Sequence, residues 1–231
     1  MAVSEGIREA LDRVRERIER ACVRAGRASG EISLIAVSKA HPEEAVRAAY
    51  AAGLRVFGEN YAQELAHKAS ALEDLGDIRW RFIGHLQRNK VKLIERAHAT
   101  VDTVDSVRLA EALSSRAAAT GKTVEILLQV NVGGESQKSG CAPAEVPALV
   151  EAVRALPSVD LRGLMTVAPH SDDPDDARPV FAALREIAAA HALRELSMGM
   201  THDLEAAVQE GATMLRIGTA LFGPRPTLPA S

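Results

Sequence analysis

The stretch SLIAVSKAHPEE, residues 33–44, opens with Leu34, Ile35, Ala36 and Val37 in an unbroken apolar run, reaches Lys39, and passes through Pro42 into two glutamates. A short apolar run with β-branched members suits a strand buried on both faces, and proline followed by acidic residues suits the first turn of a helix. A buried strand leading directly into a helix is the repeating unit of parallel α/β folds, in which two architectures compete. The doubly wound sheet that binds dinucleotides needs a glycine-rich turn after its first strand, because only bare backbone can approach a pyrophosphate closely. VSKAHPEE contains no glycine. The alternative is a closed barrel.

The rest of the chain carries the same alternation. Strands are expected at SLIAVSK, RVFGEN, RWRFIGH, TVDTVDS, VEILLQVNV, LRGLMTVA, ELSMG and MLRIGTALF, with alanine-rich helical segments such as PEEAVRAAYAAG, VRLAEALSSRAAATG and DDARPVFAALREIAAAHAL between them. Several of these helices close on glycine, the usual residue just past a helix end. Eight strand–helix units predict a (β/α)8 TIM barrel, and 231 residues suit one such domain. Ahead of it, Ile7, Leu11, Val14, Ile18 and Cys22 recur at helical spacing, so residues 1–30 are expected to form an amphipathic helix packed on the barrel. Its arginines invite comparison with a transit peptide, but Glu5, Glu9, Asp12, Glu16 and Glu19 contradict the acid-poor composition of such peptides. The chain ends shortly after the eighth strand, so no second domain is expected.

Bulk composition narrows the function. A formal net charge of -3 and 3% aromatic residues give neither the basic surface nor the stacking groups of a nucleic-acid binder. No apolar run approaches the roughly 18 residues that span a bilayer. Cys22 and Cys141 are far apart and form no CxxC pair, so a reducing cytoplasm is expected, without disulfide or zinc.

In a barrel, the residues at the C-terminal ends of the strands meet on one face, where active sites are built. Strand one brings Lys39 to that face, strand two Asn60, strand three His85 and Gln87, strand five Asn131 with Lys138 in the loop beyond, and strand six Met165 and Thr166. His85, His202 and Asp203 are too sparse for a metal centre. In SMGMTHDLEAA, Ser197 and Gly199 fall on a turn and Thr201 is the expected N-cap of the next helix. In RIGTALFG, Gly218 lets an anion approach the backbone and Thr219 adds a hydroxyl at the start of a short extra helix. Loops after strands seven and eight are the recurrent phosphate site of this fold. Taken singly, each feature has a plainer reading: a strand-end lysine is often solvated, Ser197 and Thr201 can serve only as caps, and Lys138 in a glycine-rich loop reads as solvated. Arg216 is harder to set aside, since a guanidinium inside an apolar strand must find a partner.

An amine at one side and a phosphate cradle at the other suit one ligand, pyridoxal 5'-phosphate, whose aldehyde forms a Schiff base with lysine. Arg216 is then placed for the ring nitrogen and Asn60 for the ring oxygen. The blocks AVSK, FGENYAQE, WRFIGHLQRNK, QVNVGGESQKSG, LRGLMTV and LSMGMTHDLEAAVQEGATMLRIGTALFG together resemble the pyridoxal phosphate homeostasis proteins, barrels related to the N-terminal domain of alanine racemase. That resemblance implies a cofactor held through Lys39, with Ser197, Thr201, Arg216, Gly218 and Thr219 at the phosphate and ring contacts. It also implies a role for Lys138, which matches a second family lysine. His41, where the family commonly has lysine, and His202, where it has an acidic or small residue, depart from the pattern.

The resemblance further implies vitamin B6 and amino-acid balance as the process, pyridoxal-phosphate enzymes as clients, and a monomer that buffers or delivers cofactor without a catalytic activity of its own. Two enzymatic readings stay open. One is an amino-acid racemase or decarboxylase; a two-base racemase needs a second acid opposite the lysine, and the sole tyrosines are Tyr50 and Tyr61. A cationic Arg216 beside the ring also weakens it as an electron sink. A barrel aldolase or isomerase using Lys39 on a phosphorylated sugar needs no cofactor at all.

Overall fold

The computed structural model describes residues 2–135 and 137–224. Eight parallel strands, β1 (Ser33–Val37), β2 (Val56–Glu59), β3 (Arg79–Phe82), β4 (Thr100–Val104), β5 (Val124–Gln129), β6 (Val159–Met165), β7 (Glu195–Ser197) and β8 (Met214–Ile217), close into a barrel in sequence order. Closure is made by β1 against β8, with Ile35 beside Arg216 and Ala36 beside Ile217. The helices are α1 (Ala2–Ala25), α2 (Glu43–Ala51), α3 (Ala62–Ala71), α4 (Val91–Arg96), α5 (Val107–Ala118), α6 (Val146–Arg154), α7 (Arg178–Ala190), α8 (Leu204–Gln209) and α9 (Thr219–Phe222). The predicted (β/α)8 barrel is the observed fold.

Successive residues of a strand face opposite sides, and that period of two sorts each strand between two interiors. Outward-facing Ala36, Phe57, Trp80, Phe82, Val101, Leu128, Leu164, Leu196 and Leu215 join the large core between sheet and helices. The inward-facing set is different in character. Ile35, Val56, Leu127, Met165 and Met214 form a small apolar cluster of their own, and Arg81, Asp102, Ser197 and Arg216 share the inward parity of their strands while being buried.

Helix α1 packs against α2, α8 and α9, burying Ile7, Leu11, Val14, Ile18 and Cys22 as its spacing predicts. Arg17 on its outer side grips Glu205 of α8 through two 2.7 Å bonds.

Three expectations are corrected. The first strand stops at Val37, two residues short of Lys39, because the chain turns at Ala40, which adopts φ +61°. MLRIGTALF is strand only as far as Ile217; from Thr219 it is the short helix α9. Thr201 does not cap a helix: residues 201–203 form a turn, α8 begins at Leu204, and the carboxylate of Asp203 accepts a 2.6 Å bond from the Met200 N–H. The turn is stabilised by that acid, so the helix starts later than the threonine suggests.

Candidate functional site

At the C-terminal mouth of the barrel lies a cavity of about 400 Å³ whose walls include Lys39, Asn60, Met165, Arg216, Gly218 and Thr219, together with Thr201, His41 and His202. Seven positions expected from the sequence therefore converge here: Lys39, Asn60, Met165, Thr201, Arg216, Gly218 and Thr219. A smaller cavity of about 200 Å³ adjoins it, sharing Asn60, Ile83, Met165 and Val167, and is lined also by the exposed His85 and the half-buried Lys138. Lys138 donates to the Ala168 carbonyl at 2.9 Å and pairs with Glu135, so its half-buried ammonium is held by two partners.

Arg216 forms part of the barrel floor. It is 5% exposed and donates from Nη1 to Ser197 Oγ at 2.9 Å and from Nη2 to the Thr166 carbonyl at 2.8 Å. Ser197 Oγ lies 3.4 Å from Asp102 Oδ2, and Asp102 in turn accepts from Arg81 at 2.8–3.1 Å. A guanidinium cannot shed its proton to escape burial, so it is held by this file of partners. Burial pulls Arg216 below its ordinary range, opposed by Asp102; burial likewise pushes the Asp102 carboxyl up, opposed chiefly by Arg81.

This geometry reassigns two expected contacts. Ser197 is fully buried with its hydroxyl committed to Arg216 and Asp102. Gly199 has φ +92°, and a Cβ there would lie 2.4 Å from the Ala207 side chain and 2.8 Å from that of Leu215. Both stand behind the cavity wall, one positioning Arg216 and the other permitting close packing of the turn.

Asn60 is positioned by its own backbone. Its carbonyl oxygen lies 2.1 Å from where a Cβ of Gly84 would sit, so only glycine fits opposite it, and the Gly84 carbonyl is fixed by a 2.6 Å bond from Thr103 Oγ1. The Asn60 side-chain Oδ1 is shielded from solvent and has no protein partner among the described residues. A buried unsatisfied polar atom at a cavity wall is costly unless a ligand engages it.

The sequence reading missed a cluster on the outer side of β1 and β2. Lys68 of α3, 3% exposed, donates to the Ser38 carbonyl at 2.7 Å, to Glu59 Oε1 at 2.7 Å and to Glu64 Oε1 at 2.8 Å. Ser38 Oγ also donates to Glu59 at 2.7 Å, and the Ala40 N–H donates to Glu64 at 2.7 Å. Burial pushes the Glu59 carboxyl above the usual carboxylate range, and Lys68 opposes the shift. The available signal was Lys68 lying three residues after Leu65, on the buried face of α3.

Among the described residues, no group of His, Cys, Asp or Glu is placed to hold a metal ion, and no helix is long and apolar enough to cross a membrane.

Comparison with known proteins places this geometry in a lineage. The family described as "Alanine racemase, N-terminal domain" matches residues 10–226. The pyridoxal phosphate homeostasis protein of Pseudomonas aeruginosa is 48% identical over 221 residues, covering 95% of this chain and 96% of the relative. That of Aquifex aeolicus is 45% identical over 223 residues, covering 94% and 97%. Among solved structures, PipY of Synechococcus elongatus with pyridoxal phosphate bound superposes with a TM-score of 0.82 at 38% identity, over 94% of this chain and all of that one. With the barrel, the strand-end lysine and the floor arginine in place, the chain belongs to the pyridoxal phosphate homeostasis family, built on the alanine racemase N-terminal domain.

Proposed function

We propose that this protein binds pyridoxal 5'-phosphate through Lys39 and serves intracellular cofactor homeostasis, holding and releasing the cofactor without converting a substrate. The observation that carries the reading is convergence: the amine of Lys39 in the turn after β1, the buried guanidinium of β8 and the Gly218–Thr219 corner line one cavity. When bound, the cofactor supplies an aldehyde that condenses reversibly with an amine, releasing water. Lys39 is that amine. Asn60 would donate from its side-chain amide N–H to the ring oxygen; Arg216, fixed by Ser197 and Thr166, would meet the ring nitrogen; Thr201, Gly218 and Thr219 would hold the phosphate. Met165, on the wall of the same cavity, would pack against the ring, and Lys138 and His85 line the adjoining cavity.

The carrier reading rests on the tyrosines as well as on the relatives' names. A racemase needs an acid across the cofactor from its lysine. Tyr50 is tied to Asp77 with Arg55 stacked on its ring, and Tyr61 is 62% exposed; neither lines the cavity. We assign the protein to the cytoplasm as a single-domain monomer that supplies pyridoxal-phosphate enzymes.

The test is the visible absorption spectrum of wild type and of Lys39→Ala after incubation with pyridoxal phosphate and gel filtration, with borohydride reduction and peptide mapping of the labelled lysine. A coloured wild type labelled at Lys39 and a colourless mutant support the reading. A colourless wild type overturns it and leaves Lys39 to a cofactor-free chemistry.

A further inference from the structure

Lys39 sits on a turn that no ordinary alanine would adopt unaided. Ala40 has φ +61°, the left-handed region in which a Cβ crowds the backbone. Such a conformation persists only where surrounding contacts over-determine it. The turn is closed by the His41 N–H on the Ser38 carbonyl at 3.0 Å, and a second set of contacts comes from the buried outer face of β1 and β2. The residues on both sides of Lys39 are held: the Ser38 carbonyl by Lys68, the Ser38 hydroxyl by Glu59 and the Ala40 N–H by Glu64, each at 2.7 Å. Lys68 also joins the two carboxylates, spending three bonds on three acceptors. Ser38 is clamped outward by these bonds, and Lys39, next along the turn, lines the cavity.

We propose that Glu64 and Lys68 are positioning residues for the cofactor-binding amine, a clamp that fixes the direction of Lys39 from behind the barrel wall without touching ligand. The proposal rests on Lys39 being that amine. Lys68 divides its ammonium between the clamp and the buried Glu59, whereas Glu64 is half-buried and bears mainly on the Ala40 N–H. Glu64 is therefore the position to perturb.

In Glu64→Ala the Ala40 N–H loses its acceptor and the left-handed turn loses a restraint. Affinity for pyridoxal phosphate, measured by the visible band, is expected to fall about tenfold, the scale of one charge-assisted hydrogen bond. In the cofactor-free protein, the acylation rate of Lys39 by limiting acetic anhydride, read by peptide mass spectrometry, is expected to change while other surface lysines keep theirs. Ala40→Gly in the Glu64→Ala background should restore most of the affinity, since glycine holds φ +61° without the restraint. Glu64→Gln, which keeps an oxygen for the Ala40 N–H, should bind more tightly than Glu64→Ala. If Glu64→Ala binds cofactor like wild type with Lys39 labelling unchanged, or if Ala40→Gly restores nothing, the clamp does not position Lys39. Should wild type form no coloured adduct, the cofactor reading fails, and the labelling of Lys39 in cofactor-free protein still decides the clamp. Should Glu64→Ala fail to fold, Glu64→Gln against Ala40→Gly in the same labelling assay decides it.

Discussion

Replacing Lys68 by methionine would remove the ammonium from a pair whose side chains are 3% and 0% exposed. The methionine fills much of the same volume, so packing changes little; the main effect is a buried Glu59 carboxylate without its cation. Breaking one side of such a pair costs about 3–5 kcal/mol, a large share of the roughly 5–15 kcal/mol that keeps a domain folded. Glu59 is already pushed above the usual range by burial, and Lys68 is the first influence opposing that rise. Without Lys68 its folded pKa rises further. A group whose folded pKa exceeds its unfolded value contributes stability that is whole below the unfolded pKa and is lost as pH climbs through the folded one. The deficit of Lys68→Met relative to wild type is therefore largest near neutrality and shrinks toward about pH 4, the unfolded range of a glutamate. Urea unfolding of the cofactor-free protein, followed by far-ultraviolet circular dichroism at several pH values, measures both quantities. Adding Glu59→Gln should recover at least half of the loss, because the uncompensated charge is gone. A neutral-pH deficit below about 1 kcal/mol, or one that does not vary with pH, would refute the assignment of Lys68 and Glu59 as a working buried ion pair.

Arg216→Lys keeps a positive charge but cannot bond Ser197 and the Thr166 carbonyl together as the guanidinium does; cofactor affinity by equilibrium dialysis should drop at least about tenfold, and an unchanged affinity would remove Arg216 from the ring contact. Gly84→Ala places a Cβ 2.1 Å from the Asn60 carbonyl, so the melting temperature should fall by the equivalent of about 2–3 kcal/mol, with weaker cofactor binding through a displaced Asn60; a variant as stable as wild type would mean that β2 and β3 tolerate separation at this point.

Much of the barrel is legible along the chain because burial on both faces leaves continuous apolar runs such as Ile35–Val37 and Ile126–Leu128. TVDTVDS is the least strand-like of the eight, and the reason is physical: Asp102 is an inward residue whose charge is met by Arg81 on the neighbouring strand, a pairing between positions that no local pattern reveals. The mouth residues were readable for a different reason. Each stands at or just beyond the end of an apolar run, and the barrel brings such ends together whatever their sequence separation. Ser197 was drawn to the ligand by its position near Gly199, while its side chain points to Asp102 and Arg216. The Lys68 cluster left almost no trace, because a lysine on a helix reads as solvated until the helix is laid on the sheet.

The outward clamp on Ser38 and the inward direction of Lys39 give the β1–α2 turn an arithmetic of its own. Deleting or inserting one residue within β1 would exchange the inward and outward faces beyond it and draw Ser38 away from Glu59 and Lys68. The corner is therefore constrained in its count of residues as much as in the identities of Ser38 and Lys39.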